Sequence, residues 1–308
     1  MKAFHNGKVV QKDQVNVNVD TVGFKYGAMV FEGLRAYWNE DEEQLFVFRM
    51  ADHAQRLEDS VKLMRMETEL NQRDFSAAVV EVLDANEIRQ SAHVRQMVWV
   101  DGGGEMFERG PISHAVVVTP KAHWFTGKES GIHSSISSWR RISDNSIPPR
   151  IKCAANYQNG RMALLQAKLD GYQSTILIND RGKVAEEPRG CIFMVRKGRV
   201  ATPKATDDIL ESITRDSLIR LFRELHGVEV AERDIDRTEL YTAEEAFVCG
   251  SGLEVTPILS IDRHLLNGGR AGELTMAVRD SYLKAARGDL SQYRDWLSPV
   301  YAQARLAP

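Results

Sequence analysis

The chain has 308 residues, of which 43% are hydrophobic and 27% charged, and its formal net charge is -3. This is an ordinary globular composition, long enough for two domains. It has no basic block and no apolar run of membrane-spanning length, so we expect neither nucleic acid nor membrane as a partner. The N-terminal residues lack the apolar core of a signal peptide, and the three cysteines show no CxxC spacing. We therefore expect a cytoplasmic protein without a disulfide framework or a metal site.

Residues 1–120 predict a small α+β domain. Asn6-Gly7 is a favoured two-residue turn between short strands. Gly27 and Gly33 argue against a long helix in the segment that contains them. Apolar periodicity predicts helices at 50–64 and 74–88 and strands at 44–50, 93–101 and 114–120.

Residues 121–131 lose this periodicity, and we expect them to form an inter-domain linker. Residues 132–308 predict a larger domain in which many strands mix with a few helices. The expected strands are IHSSISSW, STILIND, RGKVAEE, FMVRKGRVATP and EEAFVCG, and the expected helices lie near 158–170, 213–225 and 272–286. The order is not a strict βαβ alternation and there is no GxGxxG, which disfavours a Rossmann fold.

Lys152 stands among small and apolar residues in IPPRIKCAANYQNG. The simplest interpretation is a lysine whose stem packs while its amine reaches water. The alternative is chemical, because apolar surroundings favour the neutral amine that a Schiff-base lysine needs.

Glu186 and Glu187 follow a predicted strand and form either a solvated turn or a site in which one carboxylate faces a cation and the other solvent. Ser212 and Thr214 open a predicted helix and are either a plain N-cap or part of an anion site. His93 and Arg95 alternate on a strand and are expected to share a face.

Five segments together resemble the fold type IV pyridoxal-phosphate enzymes of the branched-chain aminotransferase group. They are FKYGAMVFEGLRAY, FRMADHAQRLEDSVKLM, SSWRRISDNSIPPRIKCAANY, ILESITRDSLIRL and AFVCGSGLEVTP, and they run in order along almost the whole chain. The resemblance implies a mixed α/β, two-domain fold like that of D-amino-acid aminotransferase, with pyridoxal 5′-phosphate as cofactor.

The resemblance also implies residue roles. Lys152 matches the lysine that holds the cofactor as an internal aldimine and moves the substrate proton. Tyr157 matches the tyrosine at the phenolic oxygen, and Glu186 the carboxylate at the pyridine nitrogen. The phosphate-binding positions are matched by Arg56, Ile213, Thr214 and Ser251. The substrate-binding positions are matched by Tyr26, Phe31, Gly33, Arg35, Tyr37, His93, Arg95 and Gly252.

Some residues depart from the family pattern. His93 stands where the group usually has a pocket tyrosine, Glu187 replaces a glycine, and Cys191 replaces an asparagine. LESIT replaces the commoner LPGIT at residues 210–214. These changes leave the cofactor residues in place and point to a specialised biosynthetic member of the group.

The function implied is a ping-pong transfer of an amino group between L-glutamate, or another L-amino acid, and a 2-oxo acid with an apolar or aromatic side chain. A homodimer or higher homo-oligomer is expected. One alternative is a D-amino-acid or (R)-amine transaminase, or an aminodeoxychorismate-lyase-type enzyme, of the same fold. An alternative of another class is a catalytically idle homologue that acts as a binding subunit.

Overall fold

The computed structural model describes residues 1–120 and 131–301. Within this part of the chain two compact units are distinguished, and each has its own sheet and core. The first unit contains residues 1–120, 151–155 and 284–301, and the second contains residues 131–150 and 156–283.

The expected domain organisation was simpler than these units. The expected linker, residues 121–131, lies outside the described residues except for Gly131. The domain limits 1–120 and 132–308 stay a prediction. The two units differ from them by grouping 151–155 and 284–301 with the first part of the chain.

The strands range in length from two to eleven residues. They are β1 (Lys2–His5), β2 (Lys8–Gln11), β3 (Met29–Asn39), β4 (Gln44–Phe48), β5 (Ala92–Val100), β6 (Ile112–Pro120), β7 (Ile132–Arg140), β8 (Ser174–Ile178), β9 (Cys191–Arg196), β10 (Arg199–Thr202), β11 (Val230–Glu232), β12 (Glu245–Gly250), β13 (Glu254–Ile261), β14 (His264–Leu265) and β15 (Leu297–Pro299).

The helices are mostly three to four turns long. They are α1 (Val22–Tyr26), α2 (Met50–Leu63), α3 (Gln72–Ala85), α4 (Asn156–Leu169), α5 (Ile213–His226), α6 (Arg237–Tyr241) and α7 (Glu273–Arg287). Short 3-10 helices cover Lys12–Gln14, Asn267–Gly269 and Ser291–Trp296.

The sheet of the first unit has the order β15-β4-β3-β5-β6-β1-β2, with antiparallel neighbours throughout. The β1–β2 hairpin confirms the turn at Asn6-Gly7. Both turn residues have positive φ, 46° and 81°, as a tight hairpin turn requires. The segment around Gly33 forms the long strand β3. Consecutive residues of β3 are buried along most of its length, so both faces of the strand are covered.

Helices α2 and α3 pack on one face of this sheet. Leu57 and Val61 of α2 lie in one core cluster, and Val79 and Leu83 of α3 lie in the next. Burying an aliphatic side chain of this size contributes about 1.5–3 kcal/mol. The apolar periodicity of the two helices therefore corresponds to the face that they bury.

Residues 151–155 run beside β3 and α2. The carbonyl of Lys152 accepts from Phe31 N–H at 2.9 Å, and Lys152 N–H donates to Ser60 Oγ at 3.3 Å. Cys153, 1% exposed, forms a bridge with Val30 and belongs to the same core cluster. These contacts fix the backbone on both sides of the Lys152 side chain.

The sheet of the second unit has the order β11-β10-β9-β12-β13-β7-β8, with β14 attached to β13. It is mixed, since β7 pairs in parallel with both β8 and β13, whereas β9, β12 and β13 are antiparallel neighbours. Helix α4 packs on β7 and β8, and α5 packs on β12.

Most of the expected elements are confirmed, with ends shifted by one to three residues. The prediction of a strand at RGKVAEE was wrong. Val184 and Lys183 form only single bridges, to Ile178 and Asp236. In residues 1–120 and 131–301 no helix has the length and apolar content needed to cross a membrane.

Candidate active site

One face of the first unit's sheet collects most of the expected substrate residues. Alternate residues of a strand share a face, and so do directly paired residues of antiparallel strands. Gly33 pairs with Arg95 and Arg35 pairs with His93 across β3 and β5. The shared face therefore carries Phe31, Gly33, Arg35, Tyr37, His93 and Arg95.

Lys152 reaches this same face from the neighbouring segment. Its Nζ lies 5.1 Å from the centre of the Phe31 ring, and Arg95 Cζ lies 4.6 Å from the same centre. Lys152 is only 9% exposed. The structure thus brings the expected catalytic lysine and two expected substrate residues together around one aromatic ring.

His93 fills the space that Gly33 leaves open. A Cβ at residue 33 would lie 3.3 Å from His93 Nε2, closer than ordinary contact. Burial of the imidazole, and then the positive charges of Arg95, Arg35, Lys152 and His53, lower the pKa of His93 to about 4. His93 is therefore neutral at pH 7.

Arg56 lies on α2 and is held by a buried carboxylate. Its Nε and Nη2 donate to the two oxygens of Glu32 at 2.7 and 2.9 Å, and His53 Nδ1 lies 2.6 Å from Glu32 Oε2. Burial alone would raise the pKa of Glu32, but the charges of Arg56 and His53 hold it well below its usual range. Glu32 thereby fixes the orientation of the Arg56 guanidinium.

In the second unit, Glu186 is held by Arg141. Arg141 Nη2 lies 2.8 Å from Glu186 Oε1, both side chains are 7% exposed, and Leu210 N–H donates to Oε2 at 3.2 Å. Arg141 also donates to the Asp208 carbonyl and to Asn159 Oδ1 of α4. This arginine therefore ties the Glu186 carboxylate to α4 and to the chain before α5.

The expectation that Glu186 or Glu187 points to solvent was wrong. Glu187 is 1% exposed and accepts from Ser174 Oγ at 2.7 Å and from Arg189 at 2.8 Å. The reason is that the segment forms a tight turn, in which Glu187 pairs with Gly190, rather than an edge strand. The two carboxylates thus have separate cationic partners.

The first turn of α5 begins at Ile213 and Thr214, and Ser212 is its N-cap. Ser212 Oγ accepts from Arg215 N–H, so the cap uses the amide one turn in and not those of Ile213 and Thr214. Amides at a helix start have no carbonyl of their own helix to bind and favour anions. The interpretation of Ser212 as an N-cap is therefore confirmed, whereas an anion site at the following amides stays a prediction.

Tyr157 and Ser251 lie on elements that pack against the Glu186 turn or the strand that follows it. Tyr157 is in the first turn of α4, and a Cβ on Gly160 of that helix would meet the Pro188 carbonyl at 2.9 Å. Ser251 follows β12, where a Cβ on Gly190 would meet the Cys249 carbonyl at 2.2 Å. These close approaches bring α4, the 186–190 turn and the β12–β13 turn together.

Two expected substrate residues do not belong to the sheet face of the first unit. Tyr26 ends α1 and is 45% exposed, and Gly252 is in the β12–β13 turn of the second unit. Sequence reasoning missed the roles of Glu32, His53 and Arg141. All three residues stand inside the segments that carry the resemblance, but nothing in residue type or spacing indicated their partners.

The family model for "Amino-transferase class IV" matches residues 29–261. The chain belongs to this family. A relative named probable branched-chain-amino-acid aminotransferase, from Aquifex aeolicus, is 36% identical over 302 residues, covering 97% of this chain and 96% of the relative.

Solved structures give the same answer for this class IV aminotransferase. The branched-chain amino acid aminotransferase of Thermobaculum terrenum in its PLP form has a TM-score of 0.91 at 38% identity, with 98% of both chains covered. The T.th. enzyme complexed with N-(5′-phosphopyridoxyl)-L-glutamate has a TM-score of 0.90 at 31% identity, covering 97% of this chain and 98% of that one. The expected fold type and enzyme class are confirmed, and pyridoxal 5′-phosphate is the cofactor of the family.

The residues present fit this cofactor. It needs a lysine, a carboxylate for its ring nitrogen and donors for its phosphate. Lys152 is buried on an aromatic ring, Glu186 is fixed by Arg141, and the start of α5 offers backbone amides suited to an anion. In residues 1–120 and 131–301, no group of three or more His, Cys, Asp or Glu side chains is suited to a metal ion.

Proposed function

We propose that this aminotransferase moves an amino group between L-glutamate, or another L-amino acid, and a 2-oxo acid with an apolar or aromatic side chain, in a ping-pong cycle. The observation that carries the proposal is the sheet face on which Lys152 and Arg95 flank the Phe31 ring. An apolar ring and a guanidinium on one face suit both an apolar side chain and a carboxylate.

The cofactor residues have distinct roles in this proposal. Glu186 would accept from the pyridine nitrogen, Tyr157 would donate to the phenolic oxygen, and Arg56, Ile213, Thr214 and Ser251 would hold the phosphate. A carboxylate has about four acceptor sites, and Arg141 and Leu210 each donate to Glu186. When bound, the cofactor ring takes up the electrons that substrate Cα releases as it loses a proton.

Lys152 Nζ is the group that moves this proton. Its backbone is fixed by Phe31 and Ser60, so the freedom that remains lies in the four-carbon side chain. The amine at the end of that chain would take the proton from substrate Cα and hold it at Nζ. The buried position beside Phe31 excludes water from the amine during the transfer.

The remaining pocket residues select the substrate. Phe31 and Tyr37 contact the side chain, Gly33 and His93 limit its size, and Arg35 and Arg95 attract a distal carboxylate. The other two proposed contacts are Tyr26 with the side chain and Gly252 with the α-carboxylate. The T.th. structure, complexed with a phosphopyridoxyl derivative of L-glutamate, supports L-glutamate as one substrate.

We propose that the enzyme works as a homodimer or higher homo-oligomer in the cytoplasm. The segment 101–110 supports this, because Met106 and Phe107 are 67% and 77% exposed in the described chain. Large apolar side chains exposed next to each other favour contact with another protein surface. Sedimentation of the purified protein measures the assembly.

The cofactor role of Lys152 is tested by reduction. The purified protein is expected to be yellow, and borohydride followed by peptide mapping is expected to fix the cofactor on the peptide that contains Lys152. The matched control is Lys168 on α4, whose peptide should remain unmodified. A protein that stays colourless after addition of pyridoxal phosphate would refute the enzyme proposal and favour an idle homologue.

Substrate class is tested by half-reactions of the yellow enzyme. L-glutamate, L-leucine and L-phenylalanine are each expected to bleach it, whereas D-alanine and an (R)-amine are not. Initial rates with two substrates should give the parallel double-reciprocal lines of a ping-pong cycle. Bleaching by D-alanine or the amine alone would instead favour the D-amino-acid or (R)-amine alternative.

A further inference from the structure

His93 is surrounded by positive charge. Arg35 acts on it from β3, Arg95 from β5, His53 from α2 and Lys152 from the 151–155 segment. Thr119, the residue of β6 that pairs with His93, is not titratable. The nearest carboxylate of β3, Glu32, belongs to the opposite face and binds Arg56 and His53. The charges of Arg95, Arg35 and Lys152 therefore all oppose protonation of this imidazole.

The imidazole is also well placed to meet a ligand. His93 Nε2 extends over Gly33, on the face that carries Phe31 and Lys152. Because His93 is 7% exposed, a charge brought close to it acts through protein rather than through bulk water. A carboxylate arriving there raises the pKa of the imidazole by partly cancelling the cations that lowered it.

We propose that His93 takes up a proton when a substrate with a carboxylate side chain binds beside it, and stays neutral when the bound side chain is apolar. This inference rests on the proposed function. The proton comes from solvent and is bound at one imidazole nitrogen, and no bond of the substrate breaks. One pocket can thus change its net charge by one unit to suit two kinds of side chain.

The consequence for pH has a definite sign. Free His93 has a pKa of about 4, so between that value and the raised value in the complex, binding of the acidic ligand takes up a proton. Its affinity then falls by up to tenfold for each unit of rising pH, and levels off above the pKa of the complex. The affinity of an apolar ligand has no such slope from His93.

Two unreactive ligands separate the effect from catalysis. Glutarate has a distal carboxylate, whereas 4-methylpentanoate ends in a branched apolar group, and neither carries an amino or oxo group. Calorimetric titration of the cofactor-loaded enzyme in buffers of different ionisation enthalpy counts the protons taken up. From about pH 6.5 to about pH 8, where both free ligands are ionised, we expect up to one proton more with glutarate than with 4-methylpentanoate.

His93→Gln keeps a hydrogen-bonding side chain but cannot take the charge, so this difference should disappear. The matched control is His114→Gln. His114 is a second buried histidine of the same sheet with a pKa lowered to about 4 by burial, but it packs against Phe4 and Phe75 in the core. That variant should retain the difference. Equal proton uptake for the two ligands in the wild-type enzyme would overturn the inference.

A second measurement does not depend on the variants folding. Nitrogen NMR of histidine-labelled wild-type enzyme should show one imidazole becoming protonated on addition of glutarate and remaining neutral with 4-methylpentanoate. If the enzyme bleaches with both L-glutamate and L-leucine but no imidazole changes, the His93 inference fails while the proposed function stands. If no substrate bleaches the enzyme, it is the proposed function that fails.

Discussion

Arg141 is the residue on which the arrangement around Glu186 depends most directly. It is 7% exposed and contacts Glu186, the Asp208 carbonyl and Asn159. Removing one partner of a buried ion pair leaves the other charge without compensation, at a cost of about 3–5 kcal/mol. Neighbouring Arg150 also forms ion pairs, but its side chain is 41% exposed and its partners Asp144 and Glu211 more so.

We therefore expect Arg141→Met to lower the free energy of unfolding by about 3–5 kcal/mol and to weaken cofactor binding, because Glu186 loses its fixed position. Arg150→Met, the matched control, should cost less than about 1 kcal/mol. Denaturant unfolding measures the first effect and absorbance titration with pyridoxal phosphate the second. Equal effects of the two substitutions would contradict the role given to Arg141.

At the scale of elements, the packing of α4 against the 186–190 turn is set by Gly160. Alanine in a helix interior is ordinarily about 1 kcal/mol more favourable than glycine. At this position a Cβ would lie 2.9 Å from the Pro188 carbonyl and 3.0 Å from Pro188 Cβ. The clash involves backbone, which cannot move without displacing Glu186 or Tyr157.

A glycine-to-alanine change in a helix usually raises the free energy of unfolding. Gly160→Ala is instead expected to lower it by about 1–3 kcal/mol. Gly103→Ala is the control, since a Cβ there meets only Asp20, at 3.5 Å or more. That change should stay within about 0.5 kcal/mol. Thermal unfolding of both variants and of the wild type distinguishes them, and a Gly160→Ala protein as stable as the wild type would disprove the packing argument.

Local sequence patterns predicted most helices and strands well, because turns, helix caps and apolar faces are determined by residues close together in the sequence. The Asn6-Gly7 hairpin follows from turn chemistry, and α5 follows from its apolar stripe and Ser212 cap. The prediction of a strand at RGKVAEE was wrong, because alternating apolar and polar residues predict a strand wherever one face of the segment is buried. Here Val184 is buried, but residues 183–186 meet the end of β8 through an isolated bridge and a few backbone hydrogen bonds rather than a continuous ladder.

The expected site residues came from the resemblance, and their partners did not. Arg56 was expected at the phosphate, but its pairing with Glu32 depends on how α2 packs against β3. Glu186 was expected to face a cation, yet Arg141 lies 45 residues before it, and only the folded chain brings the two together. Side-chain partners of this kind depend on tertiary packing and have no spacing of their own in the sequence.

At the scale of the whole molecule, buried histidines make stability depend on pH. Burial, together with the smaller effect of the positive charges of Arg95 and Arg35, lowers the pKa of His93 to about 4. Burial lowers the pKa of His114 to about 4 as well. An unfolded histidine has a pKa of about 6.5. Between these values the unfolded chain binds more protons than the folded chain, so stability falls as pH falls.

We expect the free energy of unfolding to be nearly constant from about pH 7 upward and to decrease from about pH 6.5 toward about pH 4, by up to about 3 kcal/mol per histidine. Glu32 adds its own loss at still lower pH, because its pKa is held below its usual range. Denaturant unfolding at a series of pH values measures the decrease. His114→Gln should make it shallower, whereas His264→Gln, an exchange at an exposed position of β14, should leave it as in the wild type. An unaltered slope in His114→Gln would mean that the acid sensitivity arises from other groups, since a glutamine at this position binds no proton in either state.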